Sequence, residues 1–365
     1  MNDPGQFFFV ACQGGSENVC KSQMQSARPD ARLAFSRPGF LTYKVESPNP
    51  LPEDLQLKNA FVRTAGVCLQ RVDGKSIDEL ASSFWEAVKD QRWRQLHVWS
   101  RLPELAGGKP GSGSSRGPAV EPALAALTGN RPPEIAAVSI NGVAAPGERV
   151  LNCILVDDGQ WWVGVHRAAA TPTRWPGGVP PFQPPEQMIS RAYLKMREAL
   201  AWSQMPIASG DICFEIGSSP GGAAQALLEA GLQVIGVDPA EMDERVMQHE
   251  SFSHIRKRGR DVKRRDFAAA KWLVVDSNVA PEQTLDTVRD IVTHDSVRIR
   301  GMLLTLKFPK WSAAGALDDY LARIREWGFQ HVKPRQLAYN RQEVCVAAFK
   351  NRSMRRFAGG QRKKH

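Results

Sequence analysis

Asp211-Ile-Cys-Phe-Glu-Ile-Gly-Ser-Ser-Pro-Gly-Gly222, followed shortly by Val234-Ile-Gly-Val-Asp238, is the stretch on which the fold turns. An apolar run ends at Ile216, a glycine-rich turn follows, and helix-forming sequence starts near Gly222. Glycine at such a turn lets a ligand lie against the backbone, and the helix start offers it unpaired N–H groups. Asp238 closes the next apolar run, where a carboxylate can accept both hydroxyls of a ribose. Dinucleotide-binding folds build this turn from G-x-G-x-x-G, whereas here it is G-S-S-P-G-G, with proline before the paired glycines. That departure argues against NAD and a dehydrogenase.

Outward from this stretch, short apolar strands are expected at residues 212–216, 234–237, 271–275, 302–307 and 344–349. Helices are expected at 190–202, 222–230, 283–293 and 314–327. Alternating strands and helices of this kind make a Rossmann-like, doubly wound α/β domain with a parallel sheet, assigned to residues 186–350. The first half differs. Strands are expected at 6–12, 40–46, 61–72 and 96–100, and helices at 17–26 and 76–89, the second capped by Ser76. A hairpin turns at Asp157-Asp158-Gly159 between strands 150–156 and 160–167. These make a smaller α+β module over residues 1–103, continued over 123–185. The Gly/Ser/Pro-rich stretch 104–122 between them is expected to be a linker or loop, and 351–365 a basic tail.

Charge is concentrated. Of a formal net charge of +10, residues 256–265 carry seven cations against Asp261 alone, and residues 350–365 carry seven with no acid. Two such patches suit a polyanion partner. No apolar run is long enough to cross a membrane, and the N-terminus lacks a signal-peptide pattern. Six scattered cysteines without a C-x-x-C pair suit reduced thiols and a cytoplasmic location. The seven histidines lack H-x-x-x-H spacing, so no metal is expected. Ser218-Ser219 lack the G-x-S-x-G elbow of a hydrolase. Trp161-Trp162 suit a core hairpin more readily than base stacking.

The loop E-I-G-S-S-P-G-G resembles the D-L-G-A-x-P-G-G loop of FtsJ-like, S-adenosylmethionine-dependent RNA ribose 2′-O-methyltransferases. The likeness implies a Lys-Asp-Lys-Glu tetrad, and each position has its candidate in order. Lys195 lies in S-R-A-Y-L-K-M-R-E-A-L, Asp276 ends K-W-L-V-V-D, Lys307 falls in M-L-L-T-L-K-F-P, and Glu343 lies in N-R-Q-E-V-C-V-A. It also implies a cofactor pocket of Glu215, Gly217, Ser218, Ser219, Pro220, Gly221, Gly222 and Asp238, with Asp261 at the adenine and Asp266 as its alternative. Glu215 stands where the family has aspartate, and serines fill the small positions.

The chain is similar to the large-subunit ribosomal RNA methyltransferase M group, through L-K-x-x-E-A, L-G-A-x-P-G-G, N-L-K-x-P and R-x-E-V-x-V segments over residues 190–349. It implies ferredoxin-like and THUMP-like modules in the first half and a ribosomal RNA cytidine as substrate. A ribose hydroxyl is a poor nucleophile at neutral pH, so a positioned base is needed. Lys307 is the expected base, with Lys195 as the neighbouring cation and Asp276 and Glu343 orienting the amines. The rivals are an RNA-binding homologue without chemistry and a methyltransferase for a small molecule or a protein.

Overall fold

In the computed structural model, residues 6–47, 49–105, 117–135 and 139–351 are described below. The chain divides into two units, Met1–Gln183 and Pro184–His365.

The first unit runs β1 (Phe7–Ala11), α1 (Glu17–Ala27), β2 (Ala31–Arg37), β3 (Phe40–Val45), β4 (Thr64–Asp73), α2 (Ile77–Val88), β5 (Gln95–Ser100), α3 (Val120–Gly129), β6 (Arg149–Asp157) and β7 (Gln160–Arg167). All seven strands form one sheet, ordered β2-β3-β1-β4-β7-β6-β5, so residues on both sides of the expected linker share it. Among the described residues β5 and β6 are the one parallel pair of strands, and an isolated parallel bridge joins Leu96 to Ile140. Helix α2 follows from its pattern. Leu80, Ala81, Phe84, Trp85 and Val88 recur at helical spacing and are buried, and the Ser76 side chain accepts from Glu79 N.

One expectation is amended and one strand is added. The linker stretch ends in the helix α3, which starts at Val120, while residues 106–116 lie outside the described set. Strand β2 had no sequence signal because it is an edge strand with a mostly exposed, mixed pattern.

Some buried polar groups in this unit form a connected chain, while Thr42, Tyr43, Thr64 and Ser100 keep hydroxyls without a hydrogen-bond partner among the described residues. Trp99 Nε1 donates to Asn152 Oδ1 at 3.0 Å, Asn152 Nδ2 lies 2.9 Å from His166 Nδ1, and His166 Nε2 lies 2.6 Å from Thr173 O. Burial pulls the neighbouring His97 down to about 4, so it is neutral at physiological pH. The six cysteines are buried and none is in a disulfide.

The second unit runs α4 (Ala192–Ser203), β8 (Ile212–Ile216), α5 (Gly222–Glu229), β9 (Gln233–Val237), α6 (Glu244–Met247), β10 (Phe252–Ile255), β11 (Trp272–Val275), α7 (Pro281–Val292), β12 (Gly301–Lys307), α8 (Leu317–Glu326), β13 (His331–Arg335) and β14 (Glu343–Phe349). Its sheet is ordered β10-β9-β8-β11-β12-β14-β13. Neighbours are parallel from β10 to β12, as expected from the alternation. The parallel run ends there, because β14 enters antiparallel between β12 and β13.

The physical reason lies in the connection. β13 turns directly into β14 without a crossover helix, and such a link gives antiparallel neighbours. β13 itself, His331-Val-Lys-Pro-Arg, escapes a hydrophobicity reading because it is an edge strand with a proline and two cations. The central strands show the opposite character: all four residues of β11 are buried. Among the described residues no helix is long and apolar enough to cross a membrane.

Candidate functional site

The strand register brings the reactive side chains together. In the antiparallel β12–β14 pair, Lys307 sits opposite Glu343 and Thr305 opposite Cys345. Alternation then puts Leu303, Thr305 and Lys307 on one face with Cys345 and Glu343. That face lies towards α4, since Leu303, Thr305, Cys345 and Asp276 line one cavity with Lys195 and Met196. Asp276 follows β11 directly, its backbone N–H held by Ile216 O at 3.0 Å.

Asp276 is the hub. Lys195 Nζ lies 3.3 Å from its Oδ2, and Lys307 Nζ lies 3.0 Å from its Oδ1. Lys195 Nζ also lies 2.6 Å from Glu343 Oε1. All four side chains of the expected tetrad are therefore joined, each between 8% and 24% exposed. Burial alone would push the Asp276 carboxyl up, but the charges of Lys195 and Lys307 outweigh it and hold it below its usual value. Burial opposes the Lys195 charge too, yet Asp276 and Glu343 outweigh it and raise that amine, which stays an ammonium.

The glycine loop leaves the end of β8 next to this cluster. Gly217 has φ +84, and a Cβ there would stand 2.7 Å from Asp276 O, so only glycine lets the two strand ends lie this close. Its N–H donates to Val237 O at 2.9 Å. Ser218 Oγ donates to Glu215 Oε2 at 2.6 Å, and Ser219 Oγ to Glu241 O at 2.7 Å. The Ser219–Pro220 peptide is cis, and Pro220 O accepts from Asp243 N at 2.9 Å. Gly221, at φ +117, precedes α5 and provides no side-chain cap for its first N–H groups. Gly222 is glycine for a packing reason, since a Cβ would fall 2.1 Å from Ser190 Oγ.

Asp238 closes β9 and braces the loop: Oδ2 accepts from Ser219 N at 3.2 Å and Oδ1 from Ala240 N at 2.9 Å. Each oxygen keeps a further lone pair for a ribose hydroxyl. Glu215 is buried, its Oε1 without a hydrogen-bond partner among the described residues. Burial pushes its carboxyl up to about 8, with Asp276 and Asp238 adding to that and the Ser218 hydroxyl opposing it.

An open helix start, a positive-φ glycine turn and a spare buried carboxyl oxygen fit a nucleoside carrying a zwitterionic amino acid, as S-adenosylmethionine does. Asp261 is less engaged. Its carboxylate is exposed, 3.8 Å from Arg260, in the turn Gly259–Asp261. That turn lies against the end of β8, because a Cβ on Gly259 would meet Ile216 Cγ2 at 2.7 Å. Asp266 falls in the next turn, Arg264–Phe267, and is also exposed.

Two supporting residues went unassigned by sequence reasoning. Glu198 is fully buried one helical turn beyond Lys195, and its two oxygens accept from Ala338 N and Tyr339 N at 2.8 and 3.0 Å. It thereby ties the helix carrying Lys195 to the loop leading into Glu343. The spacing L-K-x-x-E contained that signal. Asn278 Oδ1 accepts from Lys307 Nζ at 2.6 Å, and nothing in its surroundings marked it.

The basic run 256–265 is exposed except at Gly259, Val262 and Arg264. Arg264 turns back onto Val262 O at 2.8 Å, so it is a structural cation rather than a free one. The tail beyond Asn351 lies outside the described residues.

Residues 188–314 match the family model described as FtsJ-like methyltransferase. The ribosomal RNA large subunit methyltransferase M of Thauera aminoaromatica is 24% identical over 354 residues, covering 92% of this chain and 93% of that one. The protein of the same name from Tolumonas auensis is 24% identical over 229 residues, 59% of this chain and 61% of that one. Among solved structures, magnesium protoporphyrin IX methyltransferase from Synechocystis with bound SAM aligns at a TM-score of 0.34 and 12% identity. That alignment covers 44% of this chain and 80% of that one.

Proposed function

With the second unit carrying an FtsJ-like methyltransferase domain that uses S-adenosylmethionine, we propose that the chain methylates a ribose 2′-hydroxyl of large-subunit ribosomal RNA, at a cytidine. The observation that carries this reading is the joined tetrad at the strand ends, beside the glycine loop.

Bound in the loop, the cofactor supplies a methyl group on a positively charged sulfur. Glu215, Gly217, Ser218, Ser219, Pro220, Gly221, Gly222 and Asp238 would hold it, with Asp261 at the adenine edge. Lys307 Nζ, as the neutral amine once it has given up its own proton, would take the proton of the 2′-hydroxyl, so that the oxygen can accept the methyl group. Asp276 keeps the two amines apart and aimed, one on each oxygen. Lys195 remains cationic, fixed by Glu343, and favours negative charge developing on the oxygen. Holding the hydroxyl in one orientation adds to this base catalysis.

The first unit would dock the RNA, the exposed cations of residues 256–265 and the tail would contact phosphates, and the work would take place in the cytoplasm. The test is transfer of labelled methyl to unmodified ribosomal RNA, comparing the parent with Lys307→Ala. Label appearing as alkali-resistant 2′-O-methyl dinucleotides, and lost in the variant, supports the reading. Label absent from RNA despite cofactor binding refutes it.

A further inference from the structure

Strand alternation gives the sheet of the first unit two unlike faces. Phe8 and Tyr43 lie on the face under α1, where Arg28 at the end of that helix covers the Phe8 ring at 5.7 Å. On the other face Phe9, Phe40 and Trp99 form a buried aromatic floor, and Phe7, Phe35 and Trp162 pack on it only partly buried. The Phe35 and Trp162 rings lie 5.3 Å apart, and each lies against Phe40, at 6.3 and 5.6 Å.

Cations surround these rings. Arg37 covers Phe35 at 4.9 Å and Lys44 covers Phe7 at 5.9 Å. Cross-strand register puts Arg32 beside Lys44 and Arg71 beside Trp162. Arg37 and Arg71 are partly offset by Asp157 and Asp73, at 3.2 and 2.9 Å. Arg32 and Lys44 form no ion pair among the described residues, so the face stays net positive.

We propose that this face binds unpaired RNA, with bases stacking on Phe35 and Trp162 and the flanking Arg32 and Lys44 meeting the backbone phosphates. Half-exposed rings rimmed by cations fit the two chemistries of a single strand, a π-face and a phosphate. A duplex hides its base faces and gains nothing from the rings. An acidic peptide would use the cations and leave the rings idle. The inference rests on the RNA reading above and assigns the first unit a definite part in it.

The experiment uses the full chain and a short unstructured pyrimidine RNA containing 4-thiouridine, with a duplex of the same length as control. The parent should bind the single strand more tightly than the duplex and cross-link within β2 or β7. Phe35→Leu with Trp162→Leu keeps apolar bulk but removes the rings, and should weaken single-strand binding about 5- to 100-fold. Cofactor affinity should not change.

Equal affinity of variant and parent overturns the proposal, as does equal affinity for duplex, or cross-links confined to other segments. If the variant does not fold, the cross-link map of the parent decides. Methyl transfer by the parent to ribosomal RNA, measured alongside, separates the two ideas. Transfer without cross-links on this face leaves the enzyme reading standing and removes the platform.

Discussion

Asp276 and Glu215 are carboxyls at the ends of neighbouring strands, Glu215 buried and the Asp276 side chain 14% exposed, yet their states are opposite. Asp276 faces two ammonium groups and is held below its usual value. Glu215 faces a hydroxyl and two other acids, and burial carries it up to about 8. Desolvation is common to both; the partner decides the sign. Asp276 works as a fixed negative charge between two cations, whereas Glu215 is mostly protonated at neutral pH, a polar but uncharged floor to the loop.

The largest effect should come from breaking the charged side of this contrast. Asp276→Asn leaves Lys195 and Lys307 without the charge between them. It should lower stability by about 3 kcal/mol or more, as loss of one partner of a buried pair does, and abolish turnover. Urea unfolding and methyl transfer measured together check this; a stable, active variant would overturn the hub role. Lys307→Ala should reduce turnover by about 10²- to 10⁴-fold with a far smaller stability change, because Asp276 keeps Lys195 as partner.

Next comes the pH dependence, where the two acids pull in opposite directions. Asp276 contributes stability that is complete above its unfolded value near 3.8 and is lost as pH falls below it. Glu215 binds its proton in the native state but ionises near 4.5 when unfolded, so stability falls as pH rises from about 4.5 to about 8. Glu215→Gln should remove that decline, raising the melting temperature of the variant relative to the parent at pH above 8 while leaving the two alike near pH 4. Thermal melts across pH would show it, and an unchanged slope would refute the protonated floor.

The smallest effect concerns surface charge. Replacing Arg258 and Lys263 by Gln should flatten the salt dependence of RNA binding by about one unit of slope per lost phosphate contact. The stability difference between the two carboxyls should not move.

The sequence was most informative where burial and chemistry coincide. Strands β8, β9, β11, β12 and β14 are mostly apolar, the first three rich in β-branched residues, and the tetrad positions stand at or near strand ends or on α4. Edge strands were hidden because solvent on one side relaxes their composition: β2 is largely exposed, β10 has four residues, and β13 contains Pro334. The antiparallel insertion of β14 depends on a connection, which hydrophobic periodicity does not encode. Glu198 and Asn278 act through backbone and amine contacts that only three dimensions define. Trp161 and Trp162 show both sides of the argument at once, one buried in the core and one partly exposed on the aromatic face.

The insertion of β14 has a consequence for the timing of activity. This strand is the latest of the seven in the chain, yet it lies inside the sheet and supplies Glu343 opposite Lys307. During synthesis β12 waits with an open edge, and β13 has nothing to pair with, until residues 343–349 emerge. A slip of one residue in that pairing would turn Glu343 to the far face and leave Lys195 half anchored. Newly made chains should therefore remain inert until this strand docks in register, and any fragment stopping short of Glu343 should lack activity however well its cofactor loop folds.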